Sequence, residues 1–177
     1  MANVFSQGDH HSFTWDKLGD IKAGRACLGD SMPVMVYRLL EYSLNDVLAR
    51  EYGAEQADEL LRKGGYLAGA ELAKNLLPLD APIAEFTAAL QRTLKDYLIG
   101  ILRIESLDEK TGEFVLTVGE DLDCSGLPVT GEIVCKYDEG FLEGIMKTYT
   151  GKSYCVREID CWASGDRVCR FRGYVIE

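Results

Sequence analysis

The chain has 177 residues, of which 47% are hydrophobic and 27% charged, enough for one compact domain with a core and too few for two ordinary ones. Its 29 acidic residues against 19 basic ones give a formal charge of −10. That charge repels nucleic-acid backbones and anionic lipid, and the single basic cluster, Arg167, Arg170 and Arg172, is too small to reverse it.

Residues 1–20 are polar and weakly periodic and read as an N-terminal arm, with His10 and His11 as a solvated pair. The arm lacks the apolar core and cleavage site of a signal peptide, and no later stretch approaches a membrane span. The expected location is the cytoplasm, where thiols stay reduced. Residues 21–177 are expected to form the one domain.

From "GDSMPVMVYRLLEYSLNDVLAREYG" the signals are helical: Asp30 or Ser31 can cap, Pro33 suits a first turn, and Leu40, Leu44, Val47 and Leu48 recur at helical spacing up to Gly53. The next stretch keeps the period through Leu60, Leu61, Leu67, Leu72 and Leu76 but contains Gly64, Gly65 and Gly69. Each glycine costs a helix on the order of 1 kcal/mol, so a close approach of another backbone or of a ligand, or a kink, is expected there. Pro78 and Pro82 interrupt the pattern, and Ile83, Phe86, Leu90, Leu94 and Tyr97 resume it.

A period of two on either side of Lys110-Thr111-Gly112 predicts a β-hairpin. Helical spacing returns with Val134, Phe141, Ile145, Met146 and Tyr149, ending at Gly151. A second hairpin turning at Ser164-Gly165-Asp166 completes the chain. The order predicts an α+β domain with helices packed on an antiparallel sheet.

Six cysteines stand at 27, 124, 135, 155, 161 and 169. Folding the last hairpin about Gly165 sets Cys161 opposite Cys169, at a separation of about 4.5–5.5 Å between Cβ atoms that two ligands of one metal tolerate. Cys155 lies about 20 Å further along the strand at about 3.3 Å per residue, out of reach. With Cys27 and Cys124 it reads as a buried or half-buried thiol. Glu158 is an odd number of residues from Cys161, so a flat strand points the two to opposite faces, and a bulge or bend is needed to unite them. Cys135 falls in the first turn of the last helix, where the dipole favours a thiolate. Three thiolates and a carboxylate suit tetrahedral zinc, but this is not a paired C-x-x-C pattern, and the residues alone leave buried thiols as an open alternative.

The early "GRACLG", "PVMVYRLLE" and "LLRKGGYLAGAELA", followed by "CKYDEGFLEGIMKTYTGKSYCVREIDCWASGDRVCRF", resemble the 4-vinyl-reductase-like, or hydrocarbon-binding, domain over about residues 20–176. That family includes the sensor domains of phenol-responsive bacterial activators, and its fold is similar to that of the TRAPP vesicle-tethering subunits. The resemblance implies a dimer through the helices and a C-terminal helix–hairpin metal clamp. In the aromatic sensors a zinc is held by Cys, Glu, Cys and Cys spaced 23, 3 and 8 apart. Cys135, Glu158, Cys161 and Cys169 reproduce that spacing, so the resemblance implies these four as ligands.

Its phenol-binding His and Trp have no counterpart here. Phe86, Tyr97 and Phe114 fall in the corresponding stretch, and Trp162 stands beside a metal cysteine, so these four are the candidate pocket residues for an apolar or differently polar ligand.

The expected function is binding of a small hydrophobic or aromatic molecule by a zinc-stabilised, sensor-type domain. It would act through an unknown partner chain, with no catalytic residue assigned. The alternatives are an enzyme or accessory factor in tetrapyrrole vinyl reduction, against which stands the lack of a nucleotide fingerprint, and an iron–sulfur protein using the same cysteines. A purely structural assembly protein rests on fold analogy alone.

Overall fold

A computed structural model describes residues 13–176. His10 and His11 lie outside the described residues. Contacts divide the chain into two units, 1–31 and 32–177, so the division falls beyond the expected arm boundary at residue 20. The described part of the first unit holds a 3-10 turn, Trp15–Leu18, and the short helix α1, Ile21–Gly24, whose N-cap Asp20 accepts a hydrogen bond from the Ala23 amide. Cys27 in this unit is exposed, contrary to its reading as a buried thiol.

The second unit follows the expected order: helices α2 (Val34–Tyr52), α3 (Ala54–Leu76) and α4 (Ile83–Asp96), strands β1 (Ile101–Leu107) and β2 (Phe114–Gly119), helix α5 (Lys136–Thr150), then β3 (Tyr154–Asp160) and β4 (Cys169–Val175). All strand pairs are antiparallel, in the order β1-β2-β4-β3. The α+β class is as predicted. Pro33 is the N-cap of α2 rather than part of its first turn, because its extended backbone (φ −63°, ψ 139°) precedes the helix. Likewise α5 starts one residue after Cys135, which caps it.

The glycines of α3 are explained by a second backbone. A Cβ on Gly65 would stand 2.0 Å from the Tyr137 carbonyl oxygen, and one on Gly69 2.0 Å from that of Phe141. From the other side, Gly140 and Gly144 of α5 press equally close to the Arg62 and Tyr66 carbonyls of α3. Two small residues four apart on each helix thus make one flat contact, with no side chain between the axes. Gly64 points elsewhere, with only the Tyr137 ring 3.8 Å away.

The inner face of α5 buries Phe141, Leu142, Ile145 and Met146. Phe86 and Leu90 of α4 and Leu116 of the sheet line one cavity with Leu142, Ile145 and Met146, and Leu94 and Phe171 are also buried. Phe86 stacks on Tyr149 of α5 with ring centroids 3.7 Å apart, and the Tyr149 hydroxyl donates to the Ala81 carbonyl.

Substituting Gly69→Ala is expected to cost about 1–3 kcal/mol or more, because a helix axis must shift to admit the methyl group. Gly64→Ala should be neutral or stabilising by up to about 1 kcal/mol. Thermal melts of both variants check this, and equal melting temperatures would contradict the contact.

Candidate metal centre

Four sulfurs converge where α5 begins. Cys135 is the N-cap of α5; Cys161 is the N-cap of the 3-10 turn Trp162–Ser164; Cys169 opens β4; and Cys124 sits in the turn after β2. All four are buried, and their Sγ atoms lie within 4.8 Å of one another.

The separations are 3.9 Å for Cys135 to Cys161, 3.7 Å for Cys135 to Cys169 and 3.0 Å for Cys124 to Cys169. Sulfurs at the corners of a tetrahedron around zinc, with bonds of about 2.3 Å, stand about 3.8 Å apart. Two of the edges therefore match a four-sulfur site, and the donor set fits a thiolate-binding metal. Four cysteines so placed can hold a metal ion.

Glu158 reaches this region by the bulge the sequence required. The β3–β4 register shifts between Glu158 and Asp160, leaving Ile159 exposed while Glu158 and Cys161 both turn inward. Its Oε2 accepts a hydrogen bond from the Cys135 amide at 3.0 Å, while its Oε1 is buried without a partner. Glu139, fully buried in α5, accepts from the Glu158 amide at 3.1 Å and pairs with Arg62 at 2.6 Å, so the start of α5 is tied to both β3 and α3. Cys155 is half-buried and lies outside the cluster.

Sequence reasoning missed Cys124 as a member of the group. The signal was the run Asp121-Leu122-Asp123-Cys124 directly after a strand. Asp121 Oδ1 accepts from the amides of Asp123 and Cys124, closing a turn that sets the sulfur toward Cys169. This turn is held by α2: the Tyr37 hydroxyl donates to Asp123 Oδ1, the Tyr42 hydroxyl to the Asp123 carbonyl, and Arg38 to the carbonyls of Leu122 and Ser125.

The candidate pocket residues separate. Phe86 and Phe114 line one apolar cavity of about 20 Å³ between α4, the sheet and α5, with Leu90, Leu116, Leu142 and Ile145. Tyr97, just past the end of α4, is 59% exposed and does not line it. Trp162 is half-buried, and its indole donates to the Leu127 carbonyl, pinning the loop that follows Cys124.

Negative charge crowds the site. Burial, and then the neighbouring Cys161, push the Glu158 carboxyl up to about 8, and burial lifts that of Glu41 to about 7. Asp121 is raised by burial; Asp123 lies well above the carboxylate range by burial and then by Asp121 and Glu41, and Asp138 well above it by burial and then by Asp123 and Asp121. Hydrogen bonding from Cys124, and then from Cys135 and Cys169, lowers the Cys161 thiol. Cys135 is raised, first by its hydrogen bond with Cys124.

Residues 114–174 match the family model of the V4R domain. The uncharacterized protein MJ1642 of Methanocaldococcus jannaschii is 28% identical over 150 residues, covering 85% of this chain and 82% of that protein. The fold is shared with the phenol-responsive sensory domain of the transcription activator PoxR, solved with phenol (TM-score 0.63, 17% identity, 83% of this chain and 76% of the other). It is shared as well with a trafficking protein particle complex subunit 3 from Naegleria fowleri, solved covalently bound to palmitic acid (TM-score 0.64, 16% identity, 81% and 95%). No helix among the described residues is long and apolar enough to cross a membrane.

Without metal, the folded protein keeps protons on Glu158 and Glu41 that the unfolded chain releases near 4.5. Their contribution to stability is complete below that value and is lost as pH rises through about 7 and 8. Chelator-treated protein should therefore melt lower at about pH 8 than at about pH 5. A melting temperature rising over that interval would contradict the burial of these carboxyls.

Proposed function

We propose that this V4R-domain protein binds a small apolar molecule between α4, the sheet and α5, in a frame locked by zinc at the start of α5, and that it signals through a partner chain. The observation that carries this reading is the cavity behind Phe86 and Phe114, whose walls are apolar apart from Thr87. The Thr87 hydroxyl is spent on the Ala84 carbonyl, so an occupant meets no free polar group. At about 20 Å³ the cavity has room for about one water, so a ligand enters by parting α4 from α5 at the Phe86–Tyr149 stack. The phenol and palmitic acid of the two neighbours are consistent with this ligand class.

Cys135, Cys161 and Cys169 supply three metal ligands. Cys124 and Glu158 compete for the fourth position, and the mutual closeness of the sulfurs favours Cys124. Glu158 then orients Cys135 through the hydrogen bond it accepts from that residue's amide. With four protein ligands no position is left for a catalytic water, which makes the metal structural.

A homodimer is supported by α2: none of its 19 residues is buried, and Met35, Leu39, Leu40 and Val47 are each more than half exposed.

Three measurements test the reading. Metal analysis of anaerobically purified protein should give one zinc per chain, with Cys124→Ser and Cys169→Ser losing it and melting well below wild type; Glu158→Gln should keep it. Loss in Glu158→Gln with retention in Cys124→Ser would reverse the assignment, and a coloured protein holding iron and sulfide would replace zinc. For the pocket, Leu90→Trp is expected to weaken binding of a long-chain fatty acid or alkylphenol about tenfold or more; unchanged affinity would place the ligand elsewhere. For the dimer, Leu40→Asp should give a monomer by light scattering, and a persisting dimer would move the interface off α2.

A further inference from the structure

Beside the sulfurs lies a second group that the sulfur site does not use. It draws Glu41 from α2, Asp121 and Asp123 from the turn after β2, and Asp138 from the first turn of α5. Carboxylate oxygens of Asp121 and Asp138 and the sulfur of Cys135 lie within 4.8 Å of one another. Asp123 is 3% exposed; its Oδ1 takes the Tyr37 hydroxyl, while its Oδ2 is buried with no partner. Glu41 Oε2 is likewise buried and unpartnered.

No ion pair among the described residues reaches any of these four carboxylates. The guanidinium of Arg38 is close but committed to the backbone carbonyls of Asp121, Leu122 and Ser125. Buried carboxylates without a cation are costly, and thiolates next to them add to the cost. Oxygens of Asp121 and Asp138 converge with the Cys135 sulfur, and the carboxyls of Asp123 and Glu41 stand close enough to act on them and on each other; a donor set made up mainly of oxygens is of the kind that hard divalent cations take.

We propose that Glu41, Asp121, Asp123 and Asp138 hold a second, oxygen-preferring divalent cation that shares a wall with the sulfur site at Cys135. Its bound cation ties α2 to α5 through the turn that carries Cys124. Because Cys135 borders both sites, the sulfur-bound metal is followed separately, so that loss of one metal is told apart from loss of the other.

Manganese is a suitable probe, because it prefers oxygen to thiolate and its free ion is counted by electron paramagnetic resonance. The full chain, with its sulfur-bound metal quantified beforehand, is titrated with manganese chloride alone. One saturable manganese per chain is expected, with the sulfur-bound metal unchanged. Asp138→Asn and Glu41→Gln should each weaken that binding about tenfold or more. Glu41→Gln keeps the turn and α5 intact, so it serves should Asp138→Asn misfold. Absence of a saturable manganese in wild type, with the carboxyls then held as neutral acids, would overturn the proposal. So would manganese binding unchanged in both variants, which would assign the ion to the acidic surface.

Discussion

Two helices whose backbones touch fix the geometry of everything else in this domain. Gly65 and Gly69 of α3 meet Gly140 and Gly144 of α5 with no room for a methyl group on either side. A side chain on any of these four positions would meet a facing backbone carbonyl, so the close approach holds only while all four are glycine. It therefore sets where α5 begins, and Cys135 stands at that beginning. The buried pair Arg62–Glu139 crosses the same contact, and Glu139 in turn receives the Glu158 amide of β3. A rigid helix pair thus positions one sulfur directly and the bulged strand indirectly, before any metal is considered.

Local devices bring the other three sulfurs to that point. Cys161 and Cys169 face each other across a turn closed by Gly165 at φ +111°, a conformation glycine adopts without strain. The bulge at Ile159 shifts the pleat by one residue, so that Glu158 and Cys161 share a face although they are three apart. Cys124 depends on the Asp121 turn, and that turn on the hydroxyls and guanidinium of α2. The price of this convergence is five buried or half-buried carboxylates around the sulfurs, which only protons or cations can neutralise.

Much of this was legible in the sequence. Helix order, both hairpins, and the need for a bulge or bend to bring Glu158 to Cys161 follow from local periodicity and spacing, whereas the α3 glycines left a close approach and a kink equally open. Cys124 was not legible, because its place depends on a turn whose hold comes from Tyr37, Arg38 and Tyr42, more than eighty residues upstream. The acidic group was hidden for the same reason: its members come from three separate segments. Tyr97 fitted the helical period of α4, but the chain leaves the helix at that residue and the ring faces solvent. Period identifies a face; it does not say where a helix stops presenting it.

Helix α2 has two faces with different duties. Toward solvent it shows Met35, Leu39 and Leu40, while Tyr37, Arg38 and Tyr42 hold the Cys124 turn. A partner that displaced α2 would move the residues that hold Cys124, since both lie on the same turns of one helix. The converse holds as well: a metal that orders the Cys124 turn orders α2 and the surface it offers. By linkage the two effects are equal in free energy. The turn that carries Cys124 and the exposed face of α2 therefore meet in one helix, while the apolar cavity is lined by α4, the sheet and α5 without α2.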